Sequence, residues 1–512
     1  MIYSLYGGIN NMKKQKENQL IKIDNRKKII LYISLALILF IYILGIVPKS
    51  FQNDTLFDIS LGKKYVNSGL ITQDDFSIHE NLEYTPQHFL VNILTYYIHN
   101  YFGFFGLYIW CIILTCILSV LLYTANKLFV KNKIVSYMFV FIELFLLIPF
   151  ISIRAQMYSY IFFLLELIFI EKFLRTKKYL YLILLSLLPL AIINFHAGTI
   201  YFYFIIIFVY LLNYINIKTS KIEHHKEYVT NLKYLFIPII AGVLLMFVNP
   251  FGTEQITYCL KTLSNTFINT YIAEFQPLTL TSFVGERLYI YLFVIIISLI
   301  YTKKKIKLDY SLLLLGTTFM ALLTLRHSSL FVIFTIPMLS HVEELLLNIR
   351  DRIYKGVIPK GKIVLKYLAI IIFLITCICF STYYYLTNNR FEYLPKSEYP
   401  IESVKYIKEN IGNNSKLFNE YTYGSLLMFN DIKVFIDSRC DLYTKEYTKD
   451  CDVANDYINI IRCTGNYEEL LNKYNIEYLL ISKTSSLAKN IFNNSKYQKL
   501  FEDKTSFVIK VN

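Results

Sequence analysis

Between Asn53 and Glu80 the chain reads NDTLFDISLGKKYVNSGLITQDDFSIHE, which brings Asp54, Asp58, Asp74, Asp75, His79 and Glu80 into one short stretch. These acids follow directly on an apolar run, residues 29–48. Further polar groups recur beside later apolar runs: Arg154 in ISIRAQ, Asn194 and His196 in INFHAG, Asn249 in VNPFG, Glu274 in YIAEFQ, and Arg326 with His327 in LRHSS. Charged and polar groups are costly at a membrane boundary, so a set of them at a common depth points to a cavity or a substrate path. Taken singly, each has a plainer reading, since an arginine at a span end snorkels to headgroups and a lone histidine is usually just hydrogen-bonded.

The elements that must hold these residues follow from hydropathy. The 512 residues are 55% hydrophobic with a mean hydropathy of +0.43, which describes a polytopic membrane protein. At about 20 apolar residues per crossing the chain offers about eleven spans. They fall near 29–48, 104–125, 134–150, 156–173, 178–195, 199–216, 232–249, 287–302, 309–325, 328–342 and 364–386. With the N-terminus cytoplasmic, the basic stretches KLFVKNK, EKFLRTKK, KTSKIEHHKEYVTNLK, TKKKIK and RDRIYKGVIPKGK all fall on one side. The formal charge of +15 is therefore mostly topology, with no need of a nucleic-acid partner.

On the opposite, extracytoplasmic side lie the acidic stretch, the polar groups named above and two long loops, 49–103 and 250–286. Within the first loop QHFLVNILTYYIHNYFG is apolar but interrupted by His88, Asn92 and His99, as expected of a helix lying along the interface. Glu143 and Glu166 fall inside spans, where a carboxyl serves a proton or ion path or is simply hydrogen-bonded between helices. The basic segment 1–28 precedes a full-length apolar run with no small-residue cleavage pattern, so 29–48 is expected to be an uncleaved first span.

From about residue 388 the apolar runs shorten to strand size. ESVKYIKENI, YEELLNKYN and SSLAKNIF read as helices, and SKLFNEY, KVFID, IEYLLIS and FVIKVN as strands. The chain is thus expected to hold a basic N-terminal segment 1–28, a helical membrane domain 29–387, and a soluble extracytoplasmic α/β domain 388–512 with a partly parallel sheet. VFIDSRCDLY puts Asp437, Arg439, Asp441 and Tyr443 past a strand end, where open α/β sheets bind ligands or where an Asp–Arg pair braces a turn. The cysteines show no zinc-ligand spacing, and Cys440 and Cys451 are read either as a disulfide or as free thiols.

In order and spacing, NDTLFDISLGKKYVNSGLITQDDFS, QHFL, IRAQMYS, NFHAG, VNPFG with AEF, LRHSSLF and VFIDSRCDLY together resemble the GT-C glycosyltransferase superfamily, related to dolichyl-phosphate-mannose protein mannosyltransferases. The resemblance implies a catalytic aspartate in the first extracytoplasmic loop and a sugar donor carried on a polyprenyl phosphate at the plasma membrane. It implies transfer to a cell-envelope glycan, lipid or protein acceptor. Asp54 matches the family position of the base that takes the acceptor hydroxyl's proton, with Asp58 second; partial desolvation raises a carboxyl pKa and suits it to the task. Arg154 and Arg326, assisted by His196 and His327, face the leaving phosphate, because guanidinium matches phosphate geometry. Glu274, Asp75, His88, Asn194 and Asn249 complete the expected substrate contacts. Thr55 follows Asp54 where relatives often carry Glu, which bears on whether the acceptor is a protein. No residue is assigned as a metal ligand, although outer carboxylates are open to Mg²⁺ or Mn²⁺. Two other readings compete: a transporter or flippase of lipid-linked saccharide, and a non-catalytic envelope assembly protein.

Overall fold

The computed structural model describes residues 29–215, 221–223, 229–263, 265–302, 304–388, 392–447, 452–492 and 494–512. The basic segment 1–28, half of the KTSKIEHHKEYVTNLK loop and Cys451 lie outside them, and with them the expected N-terminal segment and the Cys440–Cys451 alternatives. The chain forms two compact units, one of Met1–Val47 with Gly356–Asn389, the other of Pro48–Lys355 with Arg390–Asn512.

In the first unit the described helices are α1 (Ile29–Ile46) and the helix Pro359–Asn388, both apolar enough to cross a membrane.

The second unit carries the acids. Helix α2 (Asn53–Ser68) is followed by α3 (Phe89–Phe129), α4 (Lys133–Leu147), α5 (Ala155–Thr176), α6 (Tyr179–His196) and α7 (Ile200–Leu211). Helix α3 breaks at Gly103, whose φ of 62° with ψ of −161° is a backbone region open essentially to glycine alone. This break parts the interrupted segment around His88, Asn92 and His99 from the apolar segment after it.

Against the eleven expected crossings, six described helices are long and apolar enough, or seven if the bent pair Leu325–Phe334 and Ile336–Ile353 counts as one span. The remaining expected segments are helical but differ in kind. Thr230–Leu245 and Leu308–Leu323 are short, α5 carries Glu166, Glu171, Lys172 and Arg175, and α6 and α7 form a single run broken at residues 197–199. A two-residue parallel pair, β1 (Ile222–Glu223) with β2 (Ile306–Lys307), joins two of the loops.

The C-terminal region builds a four-stranded mixed sheet from β3 (Leu417–Asn419), β4 (Tyr478–Ser482), β5 (Tyr497–Glu502) and β6 (Ser506–Val511), in the order β3-β4-β6-β5. β3 and β4 are parallel; β6 runs antiparallel to both of its neighbours. The KVFID segment, expected as a strand, makes only a single bridge, from Val434 to Ser77. The reason lies in Asn419, whose side chain accepts from Phe435 N and donates to Ile436 O, both at 2.8 Å, where a ladder would use backbone. β5 was not foreseen: YQKLFE alternates poorly and leaves several side chains exposed.

One apolar core runs from Leu56, Phe57, Leu61 and Tyr65 of α2 into Leu426, Leu427, Val434 and Phe435 of the C-terminal region. Helix α2 is therefore packed on α3 along one side and on the C-terminal region along another.

Candidate active site

Helix α2 brings its acids to the site because Gly62 allows a very close crossing. A Cβ placed there would lie 2.1 Å from Asn92 O, so only glycine lets α2 touch the backbone of α3. One turn earlier on α2 is Asp58, and a further turn back is Asp54, in the first turn of the helix. Thr55, buried, donates to Ile153 O at 2.9 Å and so ties the start of α2 to the residue before Arg154. Arg154 occupies the position that caps α5. Glu274 and Arg326 lie in separate short 3₁₀ turns, Ala273–Phe275 and Leu325–His327, coupled by Leu325 N donating to Gln276 O at 2.9 Å.

These elements place Arg154 between two carboxylates. Its Nη2 is 2.5 Å from Asp54 Oδ2 and 3.3 Å from Glu274 Oε2, while Nη1 donates to Glu274 Oε1 and, at 3.3 Å, to Gln52 Oε1. Burial works against the Arg154 charge, yet Asp54 and Glu274 together raise its pKa above the usual arginine value. Burial likewise pushes the Glu274 carboxyl up, but Arg154's charge and hydrogen bonds and the charge of Arg326 outweigh it and hold the group below its ordinary value. Arg326 makes no ion pair among the described residues; its guanidinium lies 5.3 Å from the centre of the Phe275 ring.

Asp58 is buried, with Oδ1 3.1 Å from His88 Nδ1. The Asn92 amide fits best with its nitrogen toward Asp58 Oδ1, at 2.8 Å, and His88 O, at 3.0 Å. Burial raises the Asp58 pKa despite the opposing pull of His88. Burial also disfavours a charged His88, but Asp58's charge and hydrogen bond, with the charge of Asp54, outweigh it and raise the imidazole pKa. The His88 ring lies 6.3 Å from that of His196, whose Nδ1 is 2.7 Å from Ser159 Oγ.

Apart from Asn92, the side chains of the Arg154 and Asp58 clusters line one cavity of about 910 Å³. Of the residues expected from sequence, it gathers Asp54, Asp58, His88, Arg154, His196, Glu274, Arg326 and His327. His327 is held by Thr324 Oγ1, 2.5 Å from its Nδ1. Three expected residues lie elsewhere. Asp75 pairs with Lys64 at 2.8 Å on the surface. Asn194 donates to Leu190 O and Val248 O, both at 2.9 Å, and so ties α6 to the VNPFG turn. Asn249 organises that turn, accepting from Phe251 N at 2.8 Å and donating to Gly252 O at 3.1 Å. Glu143 and Glu166 do not line the cavity; Glu143 accepts from Asn126 at 2.9 Å, an interhelical contact.

The C-terminal region contributes part of the cavity wall, including Tyr421, Ser438 and Asp441. Sequence reasoning had singled out VFIDSRCDLY but not its partner across the loop. Arg439, buried, binds Asp437 through Nε at 2.9 Å and Nη2 at 2.7 Å, and Asp74 through Nη1 at 2.6 Å. Tyr443 adds a 2.5 Å hydrogen bond to Asp437. Asp74 also accepts from Ser77 N at 2.9 Å, so the first of the two adjacent aspartates caps a turn and braces the loop while Asp75 stays outside. Gln52, Ser159 and Thr199 are further lining residues that no motif marked.

A divalent ion does not fit this arrangement. Among the described residues no three His, Cys, Asp or Glu side chains converge as ligands, and Asp54 and Asp58 are engaged by Arg154 and His88.

No protein-family model matches the chain, nor does any curated protein. Solved structures do. The oligosaccharyltransferase AglB of Archaeoglobus fulgidus, in complex with an inhibitory peptide and a dolichol-phosphate, superposes with a TM-score of 0.60 at 10% identity, over 88% of this chain and 69% of that one. The apo form of the Archaeoglobus fulgidus enzyme gives 0.59 at 11% identity over the same shares. The arabinofuranosyltransferase AftD from Mycobacteria gives 0.50 at 10% identity, over 93% of this chain but only 39% of the larger enzyme. This multi-pass membrane chain therefore shares the fold of the archaeal oligosaccharyltransferase and of the corresponding part of the mycobacterial arabinofuranosyltransferase.

Proposed function

We propose that the protein transfers a sugar from a polyprenyl-phosphate donor to a cell-envelope glycan, lipid or protein acceptor on the outer face of the plasma membrane. The observation that carries this reading is the Asp54–Arg154–Glu274 cluster in the wall of a cavity large enough for a sugar and part of an acceptor. The dolichol-phosphate bound by the archaeal enzyme of the same fold supports a lipid phosphate as the donor's carrier. The basic loops support an orientation with the N-terminus cytoplasmic and residues 388–512 extracytoplasmic, with the shorter helices completing about eleven crossings.

The roles follow from charge. As the glycosidic bond to the phosphate breaks, negative charge grows on the leaving phosphate; Arg326, without an ion pair of its own, and Arg154 stabilise it. A phosphate that engages Arg154 draws it away from Asp54, and the freed carboxylate accepts the proton of the incoming acceptor hydroxyl. Glu274 keeps hold of the other guanidinium nitrogen, so Arg154 stays in place during the exchange. Asp58 and His88 set the electrostatic background one turn away.

The test is transfer by the purified protein in vesicles containing a panel of polyprenyl-phosphate sugars radiolabelled in the sugar, with envelope glycan, lipid and peptide acceptors added, scored by movement of the label onto an acceptor hydroxyl with release of free polyprenyl phosphate. Wild type should turn over at least one donor and Asp54→Asn should lose about 10³-fold or more in kcat, the scale of a missing general base with its charge. Full activity of Asp54→Asn would remove the residue from that role.

A further inference from the structure

His196 carries the inference that goes furthest beyond this reading, on which it rests. It ends α6 and is buried, yet it lines the cavity together with Ser159, Gly198 and Thr199. Three contacts surround it. His196 Nδ1 is 2.7 Å from Ser159 Oγ, Ser159 Oγ is 3.2 Å from Thr199 Oγ1, and Thr199 Oγ1 donates to His196 O at 2.8 Å. Thr199 spends its proton on the carbonyl, so toward Ser159 it can only accept. All three contacts become hydrogen bonds in a single arrangement: Nδ1–H donates to Ser159, Ser159 donates to Thr199, and Thr199 donates to His196 O. With the proton on Nδ1, Nε2 presents a bare lone pair.

Nothing among the described residues hydrogen-bonds Nε2. Position 198, two residues on, is glycine; a Cβ there would lie 3.8 Å from Nε2 and meet no other heavy atom beyond its chain neighbours within 4 Å. Gly198 has no positive φ, so backbone conformation does not demand glycine. The opening in front of Nε2 is what a side chain at 198 would fill.

We infer that His196 Nε2 is a hydrogen-bond acceptor for a hydroxyl group of the transferred sugar, and not a ligand of the donor phosphate. A lone pair attracts an O–H donor and repels phosphate oxygens, so this corner of the cavity selects the sugar end of the lipid-linked donor. Sites built to bind a particular hydroxyl reject analogues that lack it, because the buried polar atom is then left unpaired. Ser159 and Thr199 act as positioning residues that fix the tautomer.

Two measurements test this. The first needs no substrate: ¹⁵N NMR of histidine-labelled protein should show His196 protonated at Nδ1, and Ser159→Ala with Thr199→Val should shift the population toward Nε2–H. A wild-type ring protonated at Nε2 would overturn the assignment. The second compares binding of sugar-free polyprenyl phosphate with that of a polyprenyl-phosphate hexose to which wild type binds more tightly. His196→Leu and Gly198→Val should each weaken the hexose lipid about tenfold and leave sugar-free polyprenyl phosphate unchanged, with His196→Gln restoring part of the loss. Equal weakening of both lipids would make His196 a phosphate ligand and overturn the inference. No change for either lipid in His196→Leu would overturn it too. Wild type binding neither lipid would instead defeat the donor assignment proposed above, and this inference with it.

Discussion

Arg154 Nη2 stands 2.5 Å from Asp54 Oδ2, which joins the first turn of α2 to the residue that caps α5. The pair lies at the cavity wall with Glu274 on the same guanidinium. It links an acid contributed by α2 to a cation contributed by the start of α5, so neither element can shift without disturbing the other.

This sharing of one guanidinium leads to a first expectation. Arg154→Lys keeps a positive charge but not a planar fork, and a single ammonium does not span Asp54, Glu274 and an incoming phosphate in the same way. Both Arg154→Lys and Arg154→Gln should therefore lower kcat in the vesicle assay by about 10²-fold or more. Retention of kcat in the lysine variant would show that the bidentate geometry is dispensable.

The Asp58–His88 pair has a sign that can be read directly. Burial alone would lower the His88 pKa; the Asp58 charge is the largest influence that reverses it. In wild type the His88 ring should titrate above its ordinary 6.5, and in Asp58→Asn below it. A proton NMR titration of the His88 ring in detergent or nanodiscs measures both. An unchanged midpoint in Asp58→Asn would mean that the two residues are not coupled.

Glu274 is a depressed carboxyl, so its contribution to stability is present above its ordinary value of 4.5 and is lost as pH falls through the lower folded value. The difference in thermal midpoint between wild type and Glu274→Gln should be constant above about pH 4.5 and shrink on acidification below it. A difference that grew on acidification would contradict the assignment of Arg154 as the cause.

At the α2–α3 crossing the expectation is steric. Gly62→Val drives a side chain into Asn92 O and should destabilise the protein by about 3 kcal/mol or more while moving both Asp54 and Asp58. Gly316→Ala, where a Cβ meets nothing within 4 Å, is the control and should be neutral or slightly stabilising. Thermal denaturation of both variants in detergent distinguishes a tight crossing from a general intolerance of glycine replacement.

Much of this arrangement was legible in the sequence, and the parts that were not share a physical cause. Hydropathy marked the helices because burial in lipid acts on every residue of a span, and the break at Gly103 fell where His88, Asn92 and His99 had already interrupted the apolar pattern. Span number was less legible. Length and apolarity separate a crossing from a short buried helix poorly, as Leu308–Leu323 and the charged α5 illustrate. The polar groups beside the apolar runs mostly converge on the cavity, but Asn194 and Asn249 satisfy backbone groups around a turn instead, and asparagine serves both purposes with the same amide. Of the adjacent Asp74 and Asp75, only the first faces inward, drawn there by Arg439, which lies more than 300 residues away along the chain. Such long-range pairs leave no periodic signal. KVFID reads as a strand by composition, yet the Asn419 side chain occupies its ladder partners.

The most direct test of the central claim is a structure of the purified protein with added polyprenyl phosphate. The account predicts phosphate density in the cavity within hydrogen-bond reach of Arg154 and Arg326, with Asp54 released from Arg154 and facing it. A cavity without phosphate, with the lipid headgroup bound instead beside Glu143 and Glu166, would contradict the glycosyltransferase reading and favour transport.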